Sequence, residues 1–275
     1  MKKSFLALCM SLLISTPTAL IAAEQHPEPS TIAATVSTDL YHIRLAVQRS
    51  IGNFYMFNSA EPDQRYADAA RQNLALSQQH LNTLAPQLSP AALALKAQLL
   101  NDFSAYRRQL NKVIDDIQQQ GYSDLQPIAD LAQYNAHVLK NSQDLAQLIA
   151  QEQPYQVPQL TQLAREQSLL MQSIASDYAA RSTSIGASFF GDGEKQPLDE
   201  LTQLFTDTLT TLQKHPKNTT HTQQSLRAIA VKWRYIEGSL KNYNDHSVPF
   251  VIEKYATSIT QSLEQLAAQY AFLNI

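Results

Sequence analysis

Hydrophobic residues along this chain recur at three- and four-residue steps through long segments, and strict alternation is nowhere sustained, so the pattern is that of amphipathic helices. From about Ser30 to Asn58, Leu40, Ile43, Val47, Ile51, Phe54 and Tyr55 fall on one helical face, with Ser30 as the expected cap. Glu61-Pro62-Asp63 ends that segment, and a second runs from about Asp63 to Leu84. Ser89-Pro90 pairs a capping side chain with proline at the first helical position and opens a third segment, which Gly121 ends near Gln120. A fourth runs from Asp124 to about Gln151, and Pro154 to Pro158 closes the half. The second half repeats the scheme, with helices over about 158–184, 197–214, 218–242 and 247–275. The predicted fold class is all-α: two tandem, related four-helix units, residues 30–153 and 158–275, forming elongated antiparallel helical bundles.

Composition narrows the class further. Six glycines in 275 residues are too few for the turns of a β-sandwich or barrel. The charged fraction of 16% lies below the ~25% of ordinary soluble domains, and glutamine supplies the missing polarity. A formal net charge of -3 excludes a polybasic nucleic-acid binder. The N-terminus reads differently from the rest. Met1-Lys2-Lys3, the apolar run Phe5 to Ile14, and the small residues ending at Ala22-Ala23 have the layout of a secretory signal peptide over residues 1–23. That run is shorter than the ~20 residues a membrane span requires. The only cysteine, Cys9, lies inside it, so the exported chain is expected to carry no thiol, no disulfide and no membrane span, and to reside in the periplasm.

The two halves share more than a helix count. Tyr122-Ser123-Asp124 opens the fourth helix and Tyr243-Asn244-Asp245 the eighth, 121 positions later; Tyr134 and Tyr255, and Leu145 and Leu266, keep that offset. This register points to duplication of a unit of roughly 120 residues. Two unrelated helix pairs with similar caps are the alternative. Either way the tyrosines read as helix-interface packing and the aspartates as N-caps.

The first helix of each half carries a motif. Residues 44–49 read Arg-Leu-Ala-Val-Gln-Arg, and residues 165–175 read Arg-Glu-Gln-Ser-Leu-Leu-Met-Gln-Ser-Ile-Ala. The latter resembles the Arg-Gln-Arg-Met-Leu-Ser-Gln-Arg-Ile-Ala stretch of PilJ-type domains, the N-terminal sensory domains of type IV pilus methyl-accepting chemotaxis transducers, akin to the periplasmic domains of NarX-type nitrate/nitrite sensors. The matching glutamines are Gln48 and Gln172, 124 apart. The resemblance implies a small anion held by an arginine at a helix–helix interface, with Arg44 and Arg49 at the motif's arginine positions. In the second half Ser168 and Ser173 stand there instead. A pseudo-two-fold between the halves would set Arg44 opposite Ser168, which puts nitrate itself in doubt and leaves open an anion or carboxylate met by one guanidinium and nearby hydroxyls or amides, with Arg165 a candidate to replace the missing charge. The candidate ligand-binding residues are Arg44, Gln48, Arg49, Arg165, Ser168 and Gln172.

Arg44 stands out without any family. Its neighbours Ile43, Val47 and Ile51 are apolar, and a guanidinium drawn out of water needs an anion or several acceptors. Pairing within the chain, or reaching to solvent, is the competing reading. For Arg49 an ordinary surface or interface role is expected. No pair of the seven histidines has helical ligand spacing, no zinc, di-iron or haem motif occurs, and no nucleophile elbow or phosphate loop is present. Neither metal nor cofactor is expected, and no enzymatic activity. Asp115-Asp116 reads as a solvated face; Trp233 reads as packing, with partner binding as its alternative; Phe189 and Phe190, in the loop Gly186 to Gln196, read as core or partner contacts. Two functions follow: a periplasmic sensory or ligand-binding protein that passes its state to a membrane-bound chemoreceptor or sensor kinase, or a structural helical adaptor of the cell envelope that works through protein contacts alone.

Overall fold

The computed structural model describes residues 29–59, 62–84, 88–153, 155–182, 197–243 and 247–275. The expected signal peptide, the loop Gly186 to Gln196 with Phe189 and Phe190, and Asp245 lie outside these residues. Among the described residues there are eight helices and no strand: α1 (Pro29–Phe57), α2 (Gln64–Thr83), α3 (Pro90–Gln120), α4 (Leu125–Glu152), α5 (Gln159–Ser182), α6 (Leu198–Lys214), α7 (Thr220–Lys241) and α8 (Pro249–Leu273). The fold is all-α, and none of these helices is long and apolar enough to cross a membrane.

The ends of the helices follow their local chemistry. Ser89 Oγ accepts from the Ala92 amide at 3.1 Å, ahead of Pro90 in the first turn of α3. Gly121 closes α3 with a φ of 83°, where a side chain would be strained, and its amide returns to the Ile117 carbonyl. Thr219 and Thr222 form a reciprocal cap at the start of α7. Two caps differ from expectation. Ser30 lies inside the first turn of α1, one residue after its start. Asp124 holds the N-cap position of α4, but its side chain makes no capping hydrogen bond.

One apolar core is drawn from α1–α4 together with Ala179 and Ala180 of α5, and a second from α5–α8. Phe54, Phe103 and Tyr106 are fully enclosed in the first, each stabilising it by roughly 1.5–3 kcal/mol through burial. Tyr106 is kept satisfied there by Ser50, 2.7 Å from its hydroxyl. In the second core Trp233 lies against Phe205, ring centroids 4.1 Å apart, and donates to Thr206 Oγ1 at 3.0 Å, so packing is its role. Tyr122, expected at a helix interface, is instead 61% exposed, because it precedes α4 and so has no helix of its own to pack.

The two sets of helices meet where α1 lies along α5. Thr38 bonds Arg165, Tyr41 bonds Ser168, and the Gln48 carbonyl accepts from Ser176, all at near-constant sequence separation, so the two helices run parallel. Both are consequently buried on two faces. On α5, Met171, Ile174 and Tyr178 face the second core, while Ser168, Gln172 and Ser176 form a buried polar stripe at four-residue steps toward α1. The backbones approach closely at Gly52, where a Cβ would stand 2.7 Å from Ser176 Oγ. Surroundings differ across the seam: α1 packs most extensively on α2, whereas α5 packs most extensively on α8.

Candidate functional site

The seam distributes the six candidate residues into different environments. Arg44 projects from α1 into a cavity of about 540 Å³ bounded by α1, α4, α5 and the connection between the last two. Leu40 below it and Ala146 and Ile149 across from it are apolar, while Gln143, Gln147, Gln156 and Gln162 bring amides to the lining. The Arg44 Nε is buried and has no hydrogen-bond partner. Burial lowers the guanidinium's pKa, opposed by the attraction of Glu166, which lines the same cavity. Glu166 itself accepts from Gln162 Nε2 at 2.6 Å and forms no ion pair with Arg44. The cavity thus combines one uncommitted cation, one carboxylate and several amides that both donate and accept.

Arg165 and Ser168 serve the helix seam. The Arg165 guanidinium lies over the Tyr41 ring, 5.2 Å from its centroid, and donates to Thr38 Oγ1 at 3.0 Å. Burial lowers its pKa as well, against the opposing influence of Tyr41 and Tyr155. Ser168 lies opposite Tyr41, oxygens 2.7 Å apart, and donates to the Arg165 carbonyl. The expected pairing of Arg44 with Ser168 therefore does not form; Tyr41, one turn earlier on α1, occupies the place. A parallel pair of helices makes contact where side chains point toward each other, and equal motif position does not decide that. Burial pushes the Tyr41 hydroxyl up to about 12, with the Ser168 hydrogen bond opposing.

Arg49 and Gln172 border a second cavity, of about 280 Å³, where α1, α2, α5 and α8 converge. Arg49 pairs with Glu264 of α8 at 2.5 Å, with both side chains about three-quarters covered. The interface role expected of it is what it performs. Gln172 is 7% exposed, and its Oε1 is buried with no donor. Gln48 contributes its main-chain carbonyl to Ser176 Oγ at 3.2 Å.

Three residues that sequence reasoning left aside complete these surroundings. Tyr41 carried the signal of an aromatic residue off the main apolar stripe of α1. Glu166 and Glu253, on opposite helices of the second half, are carboxylates in a charge-poor chain, and each lines one of the two cavities. A third polar group spans α1 and α2: His80 Nδ1 is 2.9 Å from Asp39, and the His42 ring stacks on His80 with centroids 4.9 Å apart. Burial, reinforced by His80, lowers the His42 pKa. Among the described residues no group of three or more His, Cys, Asp or Glu is placed to hold a metal ion. Asp115 pairs with Arg71 and Asp116 with Lys112, the solvated face expected of them.

No protein-family model, curated protein or solved structure significantly matches this chain.

Proposed function

We propose that the chain is a periplasmic, non-enzymatic sensory protein of the PilJ-like kind, built by duplication. It binds a small carboxylate in the Arg44 cavity and passes the bound state to a membrane-bound chemoreceptor or sensor kinase. The observation that carries this reading is the buried Arg44 Nε, which lacks a partner beside an open cavity. Such a group is costly to bury unless an anion completes it. A carboxylate presents two oxygens to the guanidinium fork. Glu166 and the glutamine amides favour a ligand that also carries a hydrogen-bond donor, such as a hydroxy acid, over bare nitrate or nitrite. Occupation would tie α1 to α4 and α5 at the place where the two cores meet, a suitable point from which to alter the seam.

The adaptor reading draws on a different observation. Val231 and Tyr235 on α7 are 66% and 63% exposed, and Tyr235 lies against Tyr255 of α8, the rings tilted by 31° with centroids 4.6 Å apart. An apolar and aromatic surface of this kind suits protein contact.

A thermal-shift screen of nitrate, nitrite and a series of small carboxylates and hydroxy acids tests the first reading. A carboxylate that raises the melting temperature of the wild type and has no effect on Arg44→Met supports it. No shift with any anion, or an undiminished shift in Arg44→Met, leaves the adaptor reading.

A further inference from the structure

The second cavity differs from the first in that its arginine is spent. Its lining includes Arg49, but that guanidinium is already paired with Glu264. Asn53 donates its Nδ2 to the Arg49 carbonyl and Asn73 donates its own to the Ala69 carbonyl, each at 2.8 Å. Each amide thus has one of its two N–H donors tied to its own helix, and its Oδ1 meets no donor among the described residues. Gln172 adds a buried Oε1 that no donor meets. Among the described residues Glu253 is the one carboxylate of the lining and has no cationic partner. It accepts from Thr257 Oγ1 at 3.1 Å, which spends the threonine's donor too. Burial raises its pKa, against hydrogen bonds from Thr257 and Tyr66.

We infer that this cavity, at the convergence of α1, α2, α5 and α8, is a binding site for a small organic ammonium ion, with Glu253 as its counter-charge and the side-chain oxygens of Asn53, Asn73 and Gln172 as its acceptors. An ammonium group has three donors and no acceptor, and so suits the carboxylate and the side-chain oxygens of Asn53, Asn73 and Gln172 that the lining turns to the cavity. The half-buried carboxylate, without a cationic partner among the described residues, gains a neutralising one. A divalent metal ion is a poorer fit, since such ions are normally held by several carboxylates or carbonyls at close range and this lining offers a single acid. The volume of about 280 Å³ suits an alkyl amine or diamine of a few carbons. The apolar part of such a ligand would lie against Met56, Ala175 and Ala179. This site is separate from the Arg44 cavity, and neither proposal depends on the other.

Isothermal titration calorimetry of the full chain with 1,4-diaminobutane and n-butylamine, with butyrate and calcium chloride as comparison titrants at matched ionic strength, tests the inference. The amines are expected to bind at one site, and butyrate and calcium are not expected to bind there. Glu253→Gln should weaken amine binding about tenfold or more, as loss of a desolvated charge partner does. Asn73→Leu, which fills the cavity without touching its charge, should abolish binding, and Arg44→Met should leave it unchanged. Circular dichroism establishes that each variant is folded, and either Glu253→Gln or Asn73→Leu alone suffices if the other is not. Absence of amine binding to the wild type, calcium binding in its place, or undiminished affinity in the folded variants would overturn it.

Discussion

The two cavities lie at successive levels of one helix seam and differ in what becomes of the arginine: in the first it lacks an ion pair and shares the lining with a carboxylate, in the second it is paired and a different carboxylate is not. At the level of Arg44 and Glu166, a guanidinium faces the cavity with its Nε unpartnered. One to three turns further along, the guanidinium of Arg49 is paired and the carboxylate of Glu253 is the group without a counter-charge. The difference arises from the neighbours. On the Arg44 side α1 and α5 are covered by α4, which contributes glutamine, alanine and Ile149 but no charge. On the Arg49 side they are covered by α8, which brings two acids, Glu253 and Glu264, to a single arginine. A shared pair of helices can thus present different chemistry according to which helix lies across it.

The largest effect is expected where the seam is tightest. Gly52→Val brings its Cβ to 2.7 Å from Ser176 Oγ, so that hydroxyl must turn away from the Gln48 carbonyl while the added methyl groups crowd α5. A loss of about 2–3 kcal/mol of stability in urea denaturation is expected, the usual range for overpacking, with partial recovery in the Gly52→Val, Ser176→Ala double variant. A loss below 0.5 kcal/mol, within the scatter of ordinary surface substitutions, would mean that the seam is loose.

Next come the two arginines. Arg49→Met leaves Glu264 without its partner on a mostly covered face and should cost about 1–2 kcal/mol, between the values typical of exposed and buried pairs. Arg44→Met removes a guanidinium that no carboxylate among the described residues pairs with and keeps a side chain able to pack, so stability in the absence of ligand should hold or rise. Equal losses in the two variants, by the same denaturation assay, would erase the distinction between paired and unpaired cation.

A smaller, pH-dependent effect follows from His42, which faces His80, Asp39, Glu264 and Arg165. Its pKa is lowered in the folded state, so the unfolded chain binds the proton first. The contribution of His42 is fully present above its unfolded value of 6.5 and is lost as pH falls from there through the lowered folded value. Stability measured from pH 7.5 downward should therefore decline for the wild type more steeply than for His42→Gln. Glu253 titrates with the opposite sign. Its raised folded pKa favours the protonated form, so stability from this group is greatest below the ordinary glutamate value of 4.5 and declines as pH rises through the folded value. The Glu253→Gln variant should lack that decline. Identical profiles for wild type and variants would place both groups in water-like surroundings.

How much of this was legible beforehand depends on which face of a helix is considered. The core stripe of α1, from Leu40 through Val47 to Phe54, is buried as its periodicity predicts, and Ser89-Pro90 and Gly121 bound α3 where expected. Those signals are local, and a single helix carries them complete. The second buried face of α5 is another matter. Ser168, Gln172 and Ser176 are polar residues at four-residue steps, a pattern that reads as solvent-facing until a second helix lies on it. Arg44 could be singled out from its apolar neighbours, but its company could not, because Glu166 and the α4 glutamines come from more than 90 residues away in sequence. The acceptor set around Glu253 is assembled from four helices and has no sequence signature at all. Tyr122 shows the converse error, a repeated tyrosine assumed to pack and found exposed.

The central claim is that the seam carries two charge-selective cavities. A thermal-shift cross-titration of wild type, Arg44→Met and Glu253→Gln with a small hydroxy acid and with 1,4-diaminobutane tests it most directly. The account predicts a double dissociation: the acid stabilises the wild type and Glu253→Gln but not Arg44→Met, and the diamine stabilises the wild type and Arg44→Met but not Glu253→Gln. Both ligands acting equally on all three proteins, or neither acting on the wild type, would contradict it.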